Sequence, residues 1–198
     1  GKIVAHWELA GSPGEISGQV GELAYELAYR FIFQISRLSD EKKTRSVGAS
    51  DWRSLQWFTQ GLQALQQEPL PGETSQLEQA VVLLNQAITL DPAYTTAQYA
   101  LGIAYMRLGQ YEKARQQFQA VIDRGKELVL EAAYNKGLAF YSEFKLWAYQ
   151  EAEQCFKQVL EEIGFTRQTD PAALAPPSKR LLAALAHCGL ANIYAQMI

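Results

Sequence analysis

Small side chains return at near-constant intervals through the middle of this 198-residue chain, and that recurrence restricts its fold more than any other feature. Ala80 and Ala114 stand 34 residues apart, as do Leu84 and Phe118, and Ala87 and Val121. Ala114 to Ala152 is 38, and so is Phe118 to Phe156. Between these marks run apolar stripes of helical period, so the repeating unit is a pair of helices. Gly61, Gly102 and Gly137 fall in first helices, and Ala80, Ala114 and Ala152 in second helices. Side chains this small let two backbones come close. Leu84, Phe118 and Phe156 then fill the space between successive units. One pair cannot bury its apolar face alone, so the pairs must stack. The extra residues of the third unit are expected between its two helices, around Glu143 to Trp147. The first unit carries 7 extra residues in the loop Glu68 to Thr74.

The middle unit reads Ala100-Leu101-Gly102-Ile103-Ala104-Tyr105, then Gly109-Gln110-Tyr111-Glu112-Lys113-Ala114, then Phe118 and Val121. The next has Lys136-Gly137-Leu138-Ala139-Phe140, then Tyr149-Gln150-Glu151-Ala152, and the first ends on Leu90-Asp91-Pro92. These residues resemble the tetratricopeptide repeat, a helix-turn-helix unit. The resemblance implies an all-α fold, an α-solenoid whose units wind into a right-handed superhelix. Repeats are expected at about 54–94, 95–128 and 130–164. A partial fourth over 178–198 would have Ala191 and Tyr194 at its small and aromatic positions. Together they make a repeat domain over 51–198.

The resemblance also implies a function: a non-enzymatic module that binds a peptide or protein partner in the concave groove along the first helices. The groove positions carry over as Leu55, Phe58, Leu62 and Leu65; Tyr99, Ile103, Met106 and Arg107; and Tyr134, Asn135, Leu138 and Tyr141. Members of each set recur at i, i+3 or i+4, so one helix face presents them. Apolar anchors would supply affinity, and Arg107 and Asn135 the register. Some family members hold an acidic C-terminal peptide in a clamp of Lys, Asn and Arg. Here the corresponding places hold Phe58, Leu62, Tyr99, Ile103 and Tyr134, and only Asn135 fits, so a terminal carboxylate is not the expected ligand. A competing expectation is that the N-terminal helix of this same chain, or a long insertion, folds into the groove and fills it.

The first fifty residues follow another pattern. Ile3, Ala5, Trp7 and Leu9 alternate with Val4, His6 and Glu8, which predicts a strand. Gly11-Ser12-Pro13-Gly14 is a turn. Ile16, Val20, Leu23, Leu27, Phe31, Ile35 and Leu38 share one helical face, with Tyr25, Tyr29, Ile32 and Phe33 on a second stripe. Ser39 to Ser50, with Asp40, Glu41, Lys42, Lys43 and Arg45, reads as an exposed linker. Residues 1–50 are therefore expected as a strand-helix segment, and the lone strand needs a partner. Pairing across chains would make a homo-oligomer, a self-association module. A regulatory or sensor segment of a larger bacterial signalling protein is the other alternative, and the chain's ends suggest a piece of something longer.

Composition excludes several chemistries. The net charge is −3, with no clustered Lys/Arg face to displace counterions from phosphates, so no nucleic-acid partner is expected. The stretch from Ile16 to Leu38 holds Glu22, Glu26, Arg30 and Arg37, too many charges for a membrane span. Cys155 and Cys188 cannot build a disulfide framework or a zinc site alone, and suit packed, reduced thiols in a cytoplasmic protein. His6 and His187 lack ligand spacing, and no phosphate loop or nucleophile elbow occurs. Glu151, Glu153, Glu161 and Glu162 fit solvated helix faces. No catalytic residue, metal or cofactor is expected. Local signals place a capping box at Ser75 to Glu78, helix stops at Asp91, Gly109 and Gly125, and a cap at Ser178 for a last helix Lys179–Ile198.

Overall fold

A computed structural model describes residues 49–66, 74–125, 128–164 and 177–196. The expected strand at Lys2 to Leu9 and the helix from Ile16 to Leu38 lie outside them. Within the described residues there are seven helices and no strand: α1 Trp52–Gln66, α2 Ser75–Leu90, α3 Thr95–Arg107, α4 Tyr111–Arg124, α5 Val129–Tyr141, α6 Leu146–Ile163 and α7 Pro177–Gln196. They pack as successive antiparallel pairs, α1 with α2, α3 with α4 and α5 with α6, and α7 lies against α5 and α6.

The glycines explain the pairing. A Cβ on Gly102 would stand 2.6 Å from Cε1 of Phe118, and one on Gly61 would stand 2.8 Å from Cγ of Leu84. Gly137 meets Cε1 of Phe156 at 2.8 Å, and Gly189 of α7 meets its Cε2 at 2.6 Å. Phe156 is thus held between two glycines of successive first helices. On α7 the residue that gives way to Phe156 is Gly189, whereas Ala191 and Tyr194, expected at the small and aromatic positions there, are exposed. Ala80, Ala114, Ala152, Leu84, Phe118 and Phe156 are all fully buried, as their spacing requires.

Helix ends follow local chemistry, with corrections. Asp91 ends α2 ahead of Pro92, and Gly125 and Gly164 cap α4 and α6 in left-handed conformation. The N-cap of α2 is Thr74 rather than Ser75, and its hydroxyl meets Glu78 Oε1 at 3.1 Å. α7 begins at Pro177, where a missing N–H costs nothing, so Ser178 is already helical.

The longer third period is split in two. Gly102 and Ala114 are 12 apart, and Gly137 and Ala152 are 15. Ala80 to Gly102 is 22, and Ala114 to Gly137 is 23. Three extra residues therefore lengthen the turn and the start of α6, as expected, but the fourth lies in the link before α5. Among the described residues, the two non-glycine residues with positive φ are Leu128 at 63° in that link and Phe144 at 53° in that turn.

Candidate functional site

The first helices α1, α3 and α5 lie side by side, joined by named contacts. Arg107 of α3 donates to the Leu65 carbonyl of α1. Asn135 of α5 donates through Nδ2 to the Tyr99 hydroxyl of α3 at 2.6 Å and to the Glu131 carbonyl at 3.0 Å. Phe58, Tyr99 and Tyr134 hold the same place in their units, each three residues before the unit's glycine. Phe58 leans on Tyr94 with ring centroids 5.0 Å apart. Tyr99 leans on Phe118 at 5.7 Å and Tyr134 on Phe156 at 5.4 Å.

These contacts place the predicted groove residues inside the stack. Phe58, Leu62, Tyr99, Ile103, Met106, Tyr134, Asn135 and Leu138 are all buried. Leu55 and Leu65 are buried with them. Arg107 and Tyr141, in the last turns of α3 and α5, keep partial exposure. α3 is buried almost all round, from Thr95 through Ala104 and again at Met106. A helix so placed needs apolar residues on every side, and Ala97, Ala100, Leu101, Ile103 and Ala104 supply them.

Polar groups remain within this wall. Tyr134 Oη, Tyr94 Oη, Asn135 Oδ1 and Gln98 Oε1 are buried without a hydrogen-bond partner. Each such group costs about 1–3 kcal/mol. Burial pushes the hydroxyls of Tyr94, Tyr99 and Tyr134 well above the ordinary tyrosine range, so all three stay protonated donors. Burial likewise pushes the Cys155 thiol up, which suppresses the thiolate nucleophile. Cys188 is exposed, so the expectation of two packed thiols holds for Cys155 alone. Glu153 departs from a simply solvated carboxylate. It takes Lys157 Nζ at 2.6 Å and the Tyr194 hydroxyl at 2.9 Å, tying α6 to α7.

A second surface lies outside the predicted groove. Phe144, Leu146 and Trp147 are 72%, 65% and 48% exposed at the turn into α6. The sequence carries a signal for it: Gly102 and Gly109 are seven apart, and so are Gly137 and Phe144. Phe144 stands where the middle unit has glycine.

Among the described residues no helix is long and apolar enough to cross a membrane. No curated protein matches the chain. Residues 73–135, from just before α2 to the middle of α5, match the family model for the tetratricopeptide repeat. The matched stretch spans the clearest repeat and both of its junctions. With helix pairs of the same plan on either side of it, the chain carries tetratricopeptide repeat sequence over residues 73–135 within a longer stack of paired helices.

Proposed function

We propose that residues 51–198 form a non-enzymatic interaction module that takes a segment of a protein partner along the concave side formed by α1, α3 and α5. Repeats of this family generally mediate protein–protein interaction and typically serve as scaffolds without catalysis. The observation that carries the reading is the continuous layer of first helices, joined by Arg107 to the Leu65 carbonyl and by Asn135 to the Tyr99 hydroxyl. In that layer Arg107 and Tyr141 are the residues an incoming chain meets first. Phe58, Leu62, Tyr99, Ile103, Met106, Tyr134, Asn135 and Leu138 form the floor beneath. The unpartnered Tyr134 hydroxyl and Asn135 carbonyl offer a donor and an acceptor to a partner's backbone once the wall parts.

Alanine at Tyr99 or Tyr134 does not test this cleanly, because each ring fills core space and its loss costs about 3–5 kcal/mol. Hydroxyl-only changes do. Tyr134→Phe removes a buried group with no partner and leaves the ring on Phe156, so stability should hold or rise slightly. A photo-crosslinking side chain at position 107, with a control at the exposed position 112 on α4, reports where a partner lies. The expected result is an adduct with a partner polypeptide from 107, absent from 112 and reduced by Tyr134→Phe. Equal adducts from both positions, or none from 107, would remove the inner wall as the docking site.

A further inference from the structure

We propose that the turn between α5 and α6 is a second docking surface, in which Phe144, Leu146 and Trp147 receive an apolar, carboxylate-bearing segment of a protein partner. The surface is distinct from the inner wall and stands on different observations.

The first is positional. Gly109 turns the chain between α3 and α4 at φ 70°, with its N–H on the Met106 carbonyl at 2.9 Å. Seven residues after the next unit's glycine, Phe144 makes the same turn at φ 53°, with its N–H on the Tyr141 carbonyl at 3.2 Å. A left-handed backbone suits glycine and strains a phenylalanine. The Phe144 ring recovers little of that strain by burial, since it is 72% exposed. Folding alone therefore favours glycine here, and the side chain is left for solvent or for a partner.

The second is the patch itself. Three of four consecutive residues are large, apolar and exposed, and the surface beneath them is built. The Trp147 ring stands edge-on to Phe140 at 6.1 Å, and Phe144 lies 6.1 Å from Tyr141. Glu143 anchors the turn by accepting from Arg115 of the preceding unit. A fixed apolar patch on a helical-repeat surface marks a contact site. Insertions in repeat proteins also tend to gather on the binding face.

The third is charge. Lys145 projects beside the patch, 61% exposed and 5.9 Å from the Trp147 ring. Arg115 and Lys136 lie 4.5 Å and 5.9 Å from the Phe140 ring. Glu143 turns its carboxylate inward toward Arg115 and Lys145, and Glu151 is exposed one turn further along α6. Arg115 and Glu143 offset each other, so in a chain of net charge −3 Lys145 stands as an exposed cation within the turn itself, between Phe144 and Leu146. A partner segment with aliphatic or aromatic side chains next to Asp or Glu complements it. The overall negative charge disfavours an anionic bilayer as the occupant.

The test uses a random dodecapeptide display library panned on the full chain. Recovered peptides are then measured by fluorescence anisotropy against the full chain and against Phe144→Gly/Leu146→Ser. Glycine restores the residue that the turn geometry prefers, so this variant should melt at or above the wild-type temperature. The expected result is peptides that combine apolar residues with net negative charge, bound at least tenfold more weakly by the variant. Lys145→Glu should weaken the same peptides several-fold. Recovery of net-positive peptides, or of none that the variant discriminates, overturns the proposal. Patch-dependent association with phosphatidylglycerol vesicles in place of peptides, or a sedimenting dimer abolished by the variant, overturns it as well.

Discussion

The contact between Gly102 and Phe118 shows how a single position sets the spacing of two helices. A methyl on Gly102 would stand 2.6 Å from a ring that is wholly buried and cannot retreat. Overpacking of this kind costs about 1–3 kcal/mol, and replacing a helical glycine returns about 1. Gly102→Ala should therefore be net destabilising by about 1 kcal/mol in urea denaturation. In a Phe118→Leu background, which copies Leu84 of the first unit, the same change should cost less. A coupling of at least about 0.5 kcal/mol in the double-mutant cycle is expected, and strict additivity would show that the ring does not limit the approach. The role of Gly102 is legible in the sequence, because the 34-residue interval aligns its unit with the neighbouring ones. That of Gly189 is not. The long connection ahead of α7 hides its register, and Ala191 is another small residue two places on. Only the contact with Phe156 decides between them.

At the scale of an element, the loop from α2 to α3 is organised by one carboxylate. Asp91 is buried, and its Oδ2 accepts from both the Ser50 N–H and the Ser50 hydroxyl at 2.7 Å. Its Oδ1 accepts from the Ala93 N–H at 3.1 Å. Burial pushes its pKa up, but those bonds, with the charge of Arg124, outweigh burial and hold it below the ordinary aspartate value. A depressed carboxylate contributes stability that is present above the unfolded pKa of about 3.9 and is lost as pH falls through the folded value. The wild-type chain should thus lose stability as pH drops below about 4. Asp91→Asn should be weaker at pH 7 by about 1–3 kcal/mol and flatter through the acid range. Parallel pH profiles would show that this node does not titrate with folding. The sequence discloses Asp91-Pro92 as a helix stop. The role of Ser50 is hidden there, since it lies 41 residues away and inside what reads as a linker. Within the described residues helix existence and order are legible because the apolar period is strong. The groove is less so: the i, i+3, i+4 pattern marks a shared face, but a wall and a core present the same pattern. Phe58, Tyr99 and Tyr134 sit in the core.

Across the whole molecule, each described unit touches mainly its neighbours, so stability should propagate along the stack rather than rise and fall as one. The last helix offers the cleanest probe. α7 closes the end of the stack by setting Gly189 against Phe156, and it ties to α6 through Tyr194 and Glu153. Next to Phe156 on α6, Cys155 is buried against Gly137 of α5 with its thiol pushed up by burial, while Cys188 is exposed on α7. In the full chain iodoacetamide should alkylate Cys188 readily and Cys155 only during opening of α6. A chain ending at residue 176 lacks α7 and leaves Phe156 open on one side. Its Cys155 should react at least tenfold faster, whereas hydrogen-exchange protection of α1 to α4 should change little. Uniform loss of protection from α1 to α6 would instead show that the helices fold as one cooperative body. The nearest-neighbour packing would then describe the geometry but not the energetics.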